Sequence, residues 1–289
     1  TGTASVQEYS AEHDNYVRKS QLREIWGRFC KNRVALLGLI CLLLLIAMAL
    51  FADVIAPEGY DNQDLYNKFA PPSAEHWFGT DDLGRDLFAR VFQGGRVSLT
   101  IGIVGAVVAS VVGSIYGGIA SYFGGIVDDI MMRIVEVLLS IPYLLTVILI
   151  SVVTDSKSIG TMMLALVLTG WCGIARLVRG QMLQLKSQEY ILAANALGVS
   201  PIKTIMRHMI PNTLGMIIVA ITFDIPGYIF SEAFLSYVGL GVQPPDTSWG
   251  ALASAAQQNF MFYPYQLFFP SLMIALTMLG FTLLGDGLR

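Results

Sequence analysis

The segment Val97–Ile119 reads VSLTIGIVGAVVASVVGSIYGGI and carries no charged residue. A helix needs about 20 predominantly apolar residues to cross the hydrocarbon core of a bilayer, so this run is long enough to span one. Small residues recur in it at every fourth position, namely Gly105, Ala109, Gly113 and Gly117. Such a register gives a helix a flat groove in which another backbone can approach closely. The segment therefore predicts a spanning helix with a packing seam, formed either with another helix of the chain or with a partner subunit.

Five other stretches of the chain are similarly apolar. They are Val34–Phe51, Ile134–Val153, Ile159–Leu183, Thr213–Phe234 and Phe268–Leu284. The composition agrees, since 54% of the 289 residues are hydrophobic and 13% are charged, whereas soluble domains carry about 25% charged residues. The mean hydropathy is +0.61. These patterns predict an all-α membrane protein with six transmembrane helices.

Basic residues are concentrated in two of the segments outside the apolar runs. They are Arg18, Lys19, Arg23, Arg28, Lys31 and Arg33 before the first run, and Lys186, Lys203 and Arg207 between the fourth and fifth. Because Lys and Arg are retained on the cytoplasmic side, both segments are predicted to be cytoplasmic. An even number of spans then places both termini in the cytoplasm and the loops 57–96 and 235–267 outside. The first of these loops also carries Lys68, Arg85, Arg90 and Arg96, but its acidic residues and the alternation of the spans outweigh them.

The predicted organisation has five parts. They are a flexible tail at 1–20, a cytoplasmic interfacial helix at 21–33, a first span at 34–56, an extracytoplasmic loop with a short interfacial helix at 57–96, and a core at 97–289 that contains the other five spans and a polar loop at 184–212. In the outer loop, Leu83, Leu87 and Val91 recur at helical spacing, and Asp86 and Arg90 are placed as an i,i+4 pair. Trp249, Tyr263 and Tyr265 are predicted to anchor the outer end of the last span at the headgroups.

Several classes of site find no support in the residues. The cysteines Cys30, Cys41 and Cys172 suit neither a metal site nor a disulfide framework. Asp81, Asp82 and Asp86 fit no calcium loop and are predicted to cap a helix. No G-x-x-x-x-G-K-[ST] loop is present to cradle phosphates, and none of the three histidines is placed beside a nucleophile. We expect no catalytic residue, metal site or cofactor in this chain.

The polar segment 184–212 is longer than a turn between antiparallel helices requires. In it, Tyr190, Ala193, Ala194 and Leu197 are spaced i, i+3, i+4 and i+7. This spacing predicts a short helix whose exposed face is apolar and small at its centre, which suits a groove in a partner protein. The alternative is an ordinary cytoplasmic loop that lies on the membrane surface.

Turn signals in the same segment predict a second short helix. The first helix is expected over Glu189–Leu197, and Gly198 can supply its left-handed stop. Ser200 and Pro201 are a good N-cap and first-turn pair. Pro211 is expected to end the second helix, so the segment reads as helix, sharp bend, helix.

One carboxylate falls in the middle of the fifth apolar run. Asp224 is costly there unless it faces water or a partner. Pro226 leaves the carbonyl of Thr222 without its helical donor, and Ser231 lies two turns from Asp224. Asp224 and Ser231 therefore mark either a polar wall of a translocation pathway or, in the simpler interpretation, a buried hydrogen bond between helices.

A resemblance to a known family rests on three motifs. The first is Leu192-Ala193-Ala194, three residues, Gly198, nine residues, and then His208-Met209-Ile210-Pro211. It resembles the EAA signature of ATP-binding-cassette (ABC) importer permeases, with Leu192 in place of the signature's Glu. The others are Phe78–Asp86 (FGTDDLGRD) and Gly239–Gly250 (GLGVQPPDTSWG), which are similar to motifs of the oligopeptide, dipeptide and nickel permease family.

The resemblance implies a type I ABC importer permease fold and a heteromeric importer. Its partners would be a homologous second permease, two ATPase subunits that hold ATP and Mg²⁺, and an extracytoplasmic solute-binding protein, all at the inner membrane of a prokaryote. The segment 184–212 would contain the coupling helix. For a peptide cargo, the functional interpretation of Asp224 is that it attracts the amino end, and the alternative remains a buried hydrogen bond to a neighbouring helix. Nickel complexes or glutathione-like compounds are alternative cargoes. A secondary transporter that uses Asp224 as an ion or proton site, and a structural scaffold, are rival classes.

Overall fold

The computed structural model describes residues 27, 29–55, 59–156 and 158–289. Eleven α-helices are found in these ranges. They are α1 (Arg33–Leu50), α2 (Ala52–Ile55), α3 (Leu87–Phe123), α4 (Gly125–Ser140), α5 (Tyr143–Thr154), α6 (Ile159–Lys186), α7 (Glu189–Ala196), α8 (Pro201–Thr204), α9 (Ile210–Tyr237), α10 (Trp249–Gln257) and α11 (Pro264–Leu288). The predicted tail 1–20, and most of the predicted interfacial helix 21–33, lie outside the described residues.

Five helical segments of the described chain are long and apolar enough to cross a membrane. They are α1, α3, α6, the run Pro201–Tyr237 and α11. The pair α4 and α5 passes the same test together but is bent by 86°. The expectation of an all-helical membrane protein is confirmed, with a sixth span only if this bent pair counts as one.

The third predicted span, Ile134–Val153, is wrong as a single helix. The chain leaves the helical conformation at Ile141, whose φ and ψ are −79° and 123°, and restarts after Pro142. Proline disfavours a helical conformation in the residue before it and cannot donate a backbone hydrogen bond. Hydropathy does not register this effect, so the apolar run continues through the bend.

The short interfacial helix predicted in the outer loop is not a separate element. α3 begins at Leu87 and continues without interruption into the second span, with Asp86 as N-cap accepting a hydrogen bond from the Ala89 N–H at 2.9 Å. Gly94 and Gly95 look like helix breakers, but a Cβ on either would lie within about 3 Å of Ser248 or Trp249. They are sites where another part of the chain packs directly on the helix.

The predicted ion pair between Asp86 and Arg90 does not form. Oδ2 of Asp86 lies 2.8 Å from Nδ1 of His76. The Arg90 guanidinium lies 3.5 Å from Asp81, and Asp81 also accepts a hydrogen bond from Nε of Arg85 at 2.7 Å. Of the acids expected to cap a helix, Asp86 does so, whereas Asp81 closes the turn of the FGTDDLGRD motif.

The small-residue register of α3 packs against helices of the same chain. A Cβ on Gly113 would lie 2.6 Å from the carbonyl oxygen of Trp171 in α6, and one on Gly105 would lie 2.8 Å from the ring of Tyr228 in α9. Gly117 meets the carbonyl of Ala175, and Ala109 is buried. Of the two partners considered for this seam, the structure therefore gives the one inside the chain.

Candidate functional site

The segment after α6 has the predicted bend. α7 spans Glu189–Ala196, and Gly198 follows it with a φ of +74°. The N–H groups of Gly198 and Val199 donate to the carbonyls of Asn195 and Ala194 at 3.0 and 3.1 Å, so the end of α7 is closed by backbone bonds. Ser200 then precedes Pro201, the first residue of α8.

α7 presents an apolar face that the rest of the described chain leaves uncovered. Tyr190 is 43% exposed and Leu197 is 83% exposed, and Ala193 between them is also exposed. We call Tyr190, Ala193 and Leu197 the docking face. Such side chains are unfavourable in water, so this face suits contact with another protein.

Ala194 does not belong to the docking face, which corrects the prediction. It is 7% exposed, and Ile191 beside it is fully buried. Ile191 packs in a cluster with Met182 of α6 and Met209 after α8. Ile191 and Ala194, spaced i and i+3, thus form the buried side of α7 that packs against the rest of the chain.

The helix that begins at Pro201 does not end at Pro211, contrary to prediction. α8 continues through a π-helical turn at Ile205–Met209 into α9, where the Ile210 N–H donates to the Ile205 carbonyl. A π-turn has wider spacing than an α-helix and tolerates an irregular hydrogen-bond ladder. Pro211 is therefore accommodated in the first turn of α9, and 37 residues from Pro201 to Tyr237 form one run.

Asp224 and Ser231 line one cavity of about 520 Å³. Ser140 and Tyr143 contribute the bend between α4 and α5, and Thr169 contributes from α6. The Tyr143 hydroxyl donates to the Ser231 carbonyl at 3.3 Å, which fastens the bend to α9. The two residues singled out in the fifth span are thus brought together beside polar groups of two other elements.

The wall of this cavity is built around Tyr228, one helical turn from Asp224. Its ring fits against Gly105 of α3, and Gly170 of α6 leaves room for its hydroxyl. That hydroxyl is buried and has no hydrogen-bond partner among the described residues. Glycines in both neighbouring helices therefore allow a polar aromatic side chain to reach the cavity.

The sequence did not indicate the importance of Glu232. Its carboxylate is fully buried and accepts hydrogen bonds from the hydroxyls of Ser98, Ser236 and Ser248 at 3.0, 2.8 and 2.6 Å. Ser236 lies one turn away on the same helix, and this i,i+4 spacing is the one sequence signal that could have indicated a hydrogen bond to Glu232. The partners from α3 and from the start of α10 could not be found by spacing.

Trp249 is also placed differently from the prediction. It is 2% exposed, and its Nε1–H donates to the Val91 carbonyl at 2.8 Å. The GLGVQPPDTSWG motif therefore returns α10 into the bundle, rather than anchoring the chain in the headgroups. Tyr265 likewise donates to the Ala70 carbonyl at 3.1 Å, which joins α11 to the outer loop.

Spanning helices with a polar cavity among them are typical of a membrane transport protein. Residues 109–289 match the family described as the binding-protein-dependent transport system inner membrane component. Residues 20–72 match the N-terminal transmembrane domain of oligopeptide transport permease C. The chain belongs to this family of ABC importer permeases, in its oligopeptide and dipeptide permease C branch.

Individual relatives cover nearly the whole chain. The dipeptide transport permease DppC of Bacillus subtilis is 46% identical over 98% of this chain and 89% of its own length. The oligopeptide transport permease OppC of the same organism is 48% identical over 91% and 86%. The glutathione transport permease GsiD of Escherichia coli is 39% identical over 94% and 91%.

A solved structure has the same fold. It is an inward-facing conformation of the methionine ABC transporter MetNI, with a TM-score of 0.56 and 18% identity over 68% of this chain and 93% of the other. At this identity the likeness concerns the fold alone.

Proposed function

We propose that this chain is the second, C-type permease of an importer that moves oligopeptides or dipeptides across the cytoplasmic membrane. The observation that carries the proposal is the near full-length similarity to two peptide permeases, DppC and OppC. The cavity beside Asp224 supports it, since a polar space between membrane helices is what a hydrophilic solute requires.

The proposed importer contains a homologous second permease, two ATPase subunits and an extracytoplasmic solute-binding protein. ATP and Mg²⁺ are bound by the ATPase subunits, and this chain contributes no catalytic group. The docking face of Tyr190, Ala193 and Leu197 supports an ATPase contact, together with the EAA-like motif in which it lies. Because the signature's Glu is Leu192 here, the contact rests on shape and apolar area rather than on charge.

The proposed mechanism is mechanical. ATP binding closes the ATPase dimer, α7 moves with the groove that holds it, and the attached spans change the side to which the cavity opens. Gly198, Ser200 and Pro201 keep α7 at a fixed angle to α8. The run from Pro201 to Tyr237 links this bend to the cavity without a break.

In the cavity, Asp224 attracts the amino end of a peptide. Ser231 and Tyr143 line the same cavity as Asp224, and their hydroxyls offer hydrogen bonds to the rest of the solute. A carboxylate in a partly enclosed site interacts with an ammonium group more strongly than one in water, because the local dielectric constant is lower.

The proposal also includes an orientation. Both termini lie in the cytoplasm, as does α7, because six basic residues lie from Arg18 to Arg33 and five from Arg176 to Arg207, against four in the outer loop 57–96. The outer loop 59–86 and α10 then face the solute-binding protein.

The test is peptide uptake in a strain that lacks this chain. Restoring the chain with its cognate partners should restore uptake of di- to pentapeptides, and uptake should stop when the ATPase Walker lysines are replaced. Uptake driven by a proton gradient without the ATPases would instead indicate a secondary transporter. The similarity to GsiD makes glutathione the second cargo to measure; restored glutathione uptake without peptide uptake would replace the peptide assignment.

A further inference from the structure

α4 carries a stripe of charged side chains on one flank. Asp129, Arg133 and Glu136 follow each other at i, i+4 and i+7, and Ser140 ends the row at i+11. All four are exposed in this chain. The side chains of Arg133 and Glu136 are 79% and 53% exposed and form an ion pair at 2.7 Å. We call these four residues the α4 stripe.

The opposite side of α4 is fixed to the bundle, which sets the depth of the stripe. Asp128 forms a two-point ion pair with Arg179 of α6, with both contacts at 2.5 Å. The Tyr116 hydroxyl of α3 donates to the Met131 carbonyl at 2.9 Å. Arg179 lies about 10 Å along α6 from the end at Lys186. α4 therefore runs beside the spanning helices, and its stripe lies at membrane depth.

A charged stripe at this depth does not face lipid. Ionised groups facing hydrocarbon are costly, and charged residues in spanning segments face water or other protein groups. α4 also has a separate apolar flank, which suits contact with lipid or another apolar surface. It consists of Ile126, Ile130 and Ile134, each at least 48% exposed. The two flanks separate the surface of α4 into one apolar side and one charged side that suits water or polar groups of a protein.

The stripe meets the cavity described above at Ser140, whereas Arg133 and Glu136 lie outside the cavity lining. Ser140 is both the last residue of the stripe and part of the cavity wall that includes Asp224. Arg133 precedes Ser140 by seven residues, which is about 10 Å along a helix. An extended peptide of two or three residues is about 7–10 Å long.

We infer that the α4 stripe lines the inner section of the translocation pathway and takes solutes with one amine and one carboxylate end, the carboxylate meeting Arg133. This inference rests on the proposed function and adds to it a second charged contact. In this structure Glu136 pairs with Arg133, so the charges of these two side chains cancel and Asp129 leaves the stripe with a formal charge of −1. A solute carboxylate displaces Glu136, so the contact is exchangeable and does not trap the solute.

Cysteine accessibility in the complete importer tests the position of the stripe. In a background with Cys30, Cys41 and Cys172 replaced by serine or alanine and uptake retained, Arg133→Cys and Glu136→Cys are treated with a charged, membrane-impermeant methanethiosulfonate in inside-out vesicles. Ile130→Cys on the apolar flank is the matched control. We expect modification of both stripe positions at least 10-fold faster than of Ile130→Cys. Equal rates, or cross-linking of the stripe to the second permease, would overturn the inference.

Uptake by Arg133→Gln tests whether Arg133 contacts the carboxylate of the solute. Wild type should prefer a dipeptide with a free carboxylate over its C-terminal amide, and Arg133→Gln should reduce that preference about 10-fold at an unchanged amount of complex in the membrane. An unchanged preference would overturn the role of Arg133. If wild type moves no peptide, the proposed function fails, but the accessibility pattern still reports whether the stripe faces water.

Discussion

The hydroxyl of Ser248 donates a hydrogen bond to Oε1 of Glu232 at 2.6 Å. Ser248 is the N-cap of α10 and also accepts from the Ala251 N–H at 3.0 Å. Ser98 of α3 has the same double role, since it donates to Glu232 and accepts from the Trp249 N–H at 3.1 Å. One buried carboxylate thus completes hydrogen bonds of three helices, α3, α9 and α10.

Glu232→Ala should destabilise the chain by about 2–3 kcal/mol, because the hydroxyls of Ser98, Ser236 and Ser248 lose their acceptor inside the bundle. Thermal unfolding in detergent, followed by tryptophan fluorescence, measures this. Glu232→Gln is the matched control and should retain more of the stability, since its amide oxygen still accepts. Equal losses in the two variants would show that the oxygen acceptor is not what matters.

Gly113→Ala should destabilise the packing of α3 on α6 by about 1–3 kcal/mol, since the new methyl group would overlap the Trp171 carbonyl and must push two backbones apart. Gly180→Ala in α6 is the control, because a Cβ there meets nothing within 4 Å; it should be neutral or slightly stabilising. Both are compared by thermal unfolding in the same detergent. The seam assignment fails if Gly113→Ala unfolds at the temperature of the parent.

Ala193→Trp should leave membrane insertion intact and reduce peptide uptake at least 10-fold, because an indole at the centre of the docking face prevents close contact with a groove. ATPase activity of the purified importer should no longer respond to the loaded solute-binding protein. Gln184→Trp, an exposed position at the end of α6 outside the docking face, is the control. Normal coupling in Ala193→Trp would mean that the ATPase docks elsewhere.

Asp224→Asn should reduce the preference for peptides with a free amino end over N-acetylated peptides about 10-fold, because the neutral amide removes the attraction for an ammonium group. Competition uptake with the two peptide forms in one assay gives this ratio directly. Asp155→Asn, at the loop that follows α5, is the control. If the ratio is the same in Asp224→Asn and wild type, Asp224 has no selective contact with the solute.

The sequence predicted the spanning helices because an apolar run of about 20 residues has few possible structures other than a transmembrane helix. It also predicted the bend at Gly198, since a left-handed glycine stop followed by Ser-Pro is a local signal. The features it misjudged depend on tertiary contacts. Pro142 breaks a span inside an apolar run, whereas Pro211 breaks none because a π-turn precedes it.

The cavity was predictable only where it depends on residues close together in the sequence. Asp224 and Ser231 share a helix face, so spacing alone placed them together. The break between α4 and α5, which forms the facing wall, is invisible to hydropathy. From the sequence, Trp249 looks like an aromatic ring at the membrane interface. In the structure its Nε1–H donates to the carbonyl of Val91, which lies 158 positions away. Glu232 is similar, since two of its three partners are distant in sequence.

The uninterrupted helical run from Pro201 to Tyr237 connects the bend after α7 at one end with the cavity residue Asp224 further along. Asp224 lies 23 residues beyond Pro201, which is about 34 Å at the helical rise. Under the proposed mechanism, a tilt of about 5° of a rigid helix about its α7 end would displace Asp224 by about 3 Å. The π-turn at Ile205–Met209 lies within this length, so we expect its stiffness to determine how much of that displacement reaches the cavity.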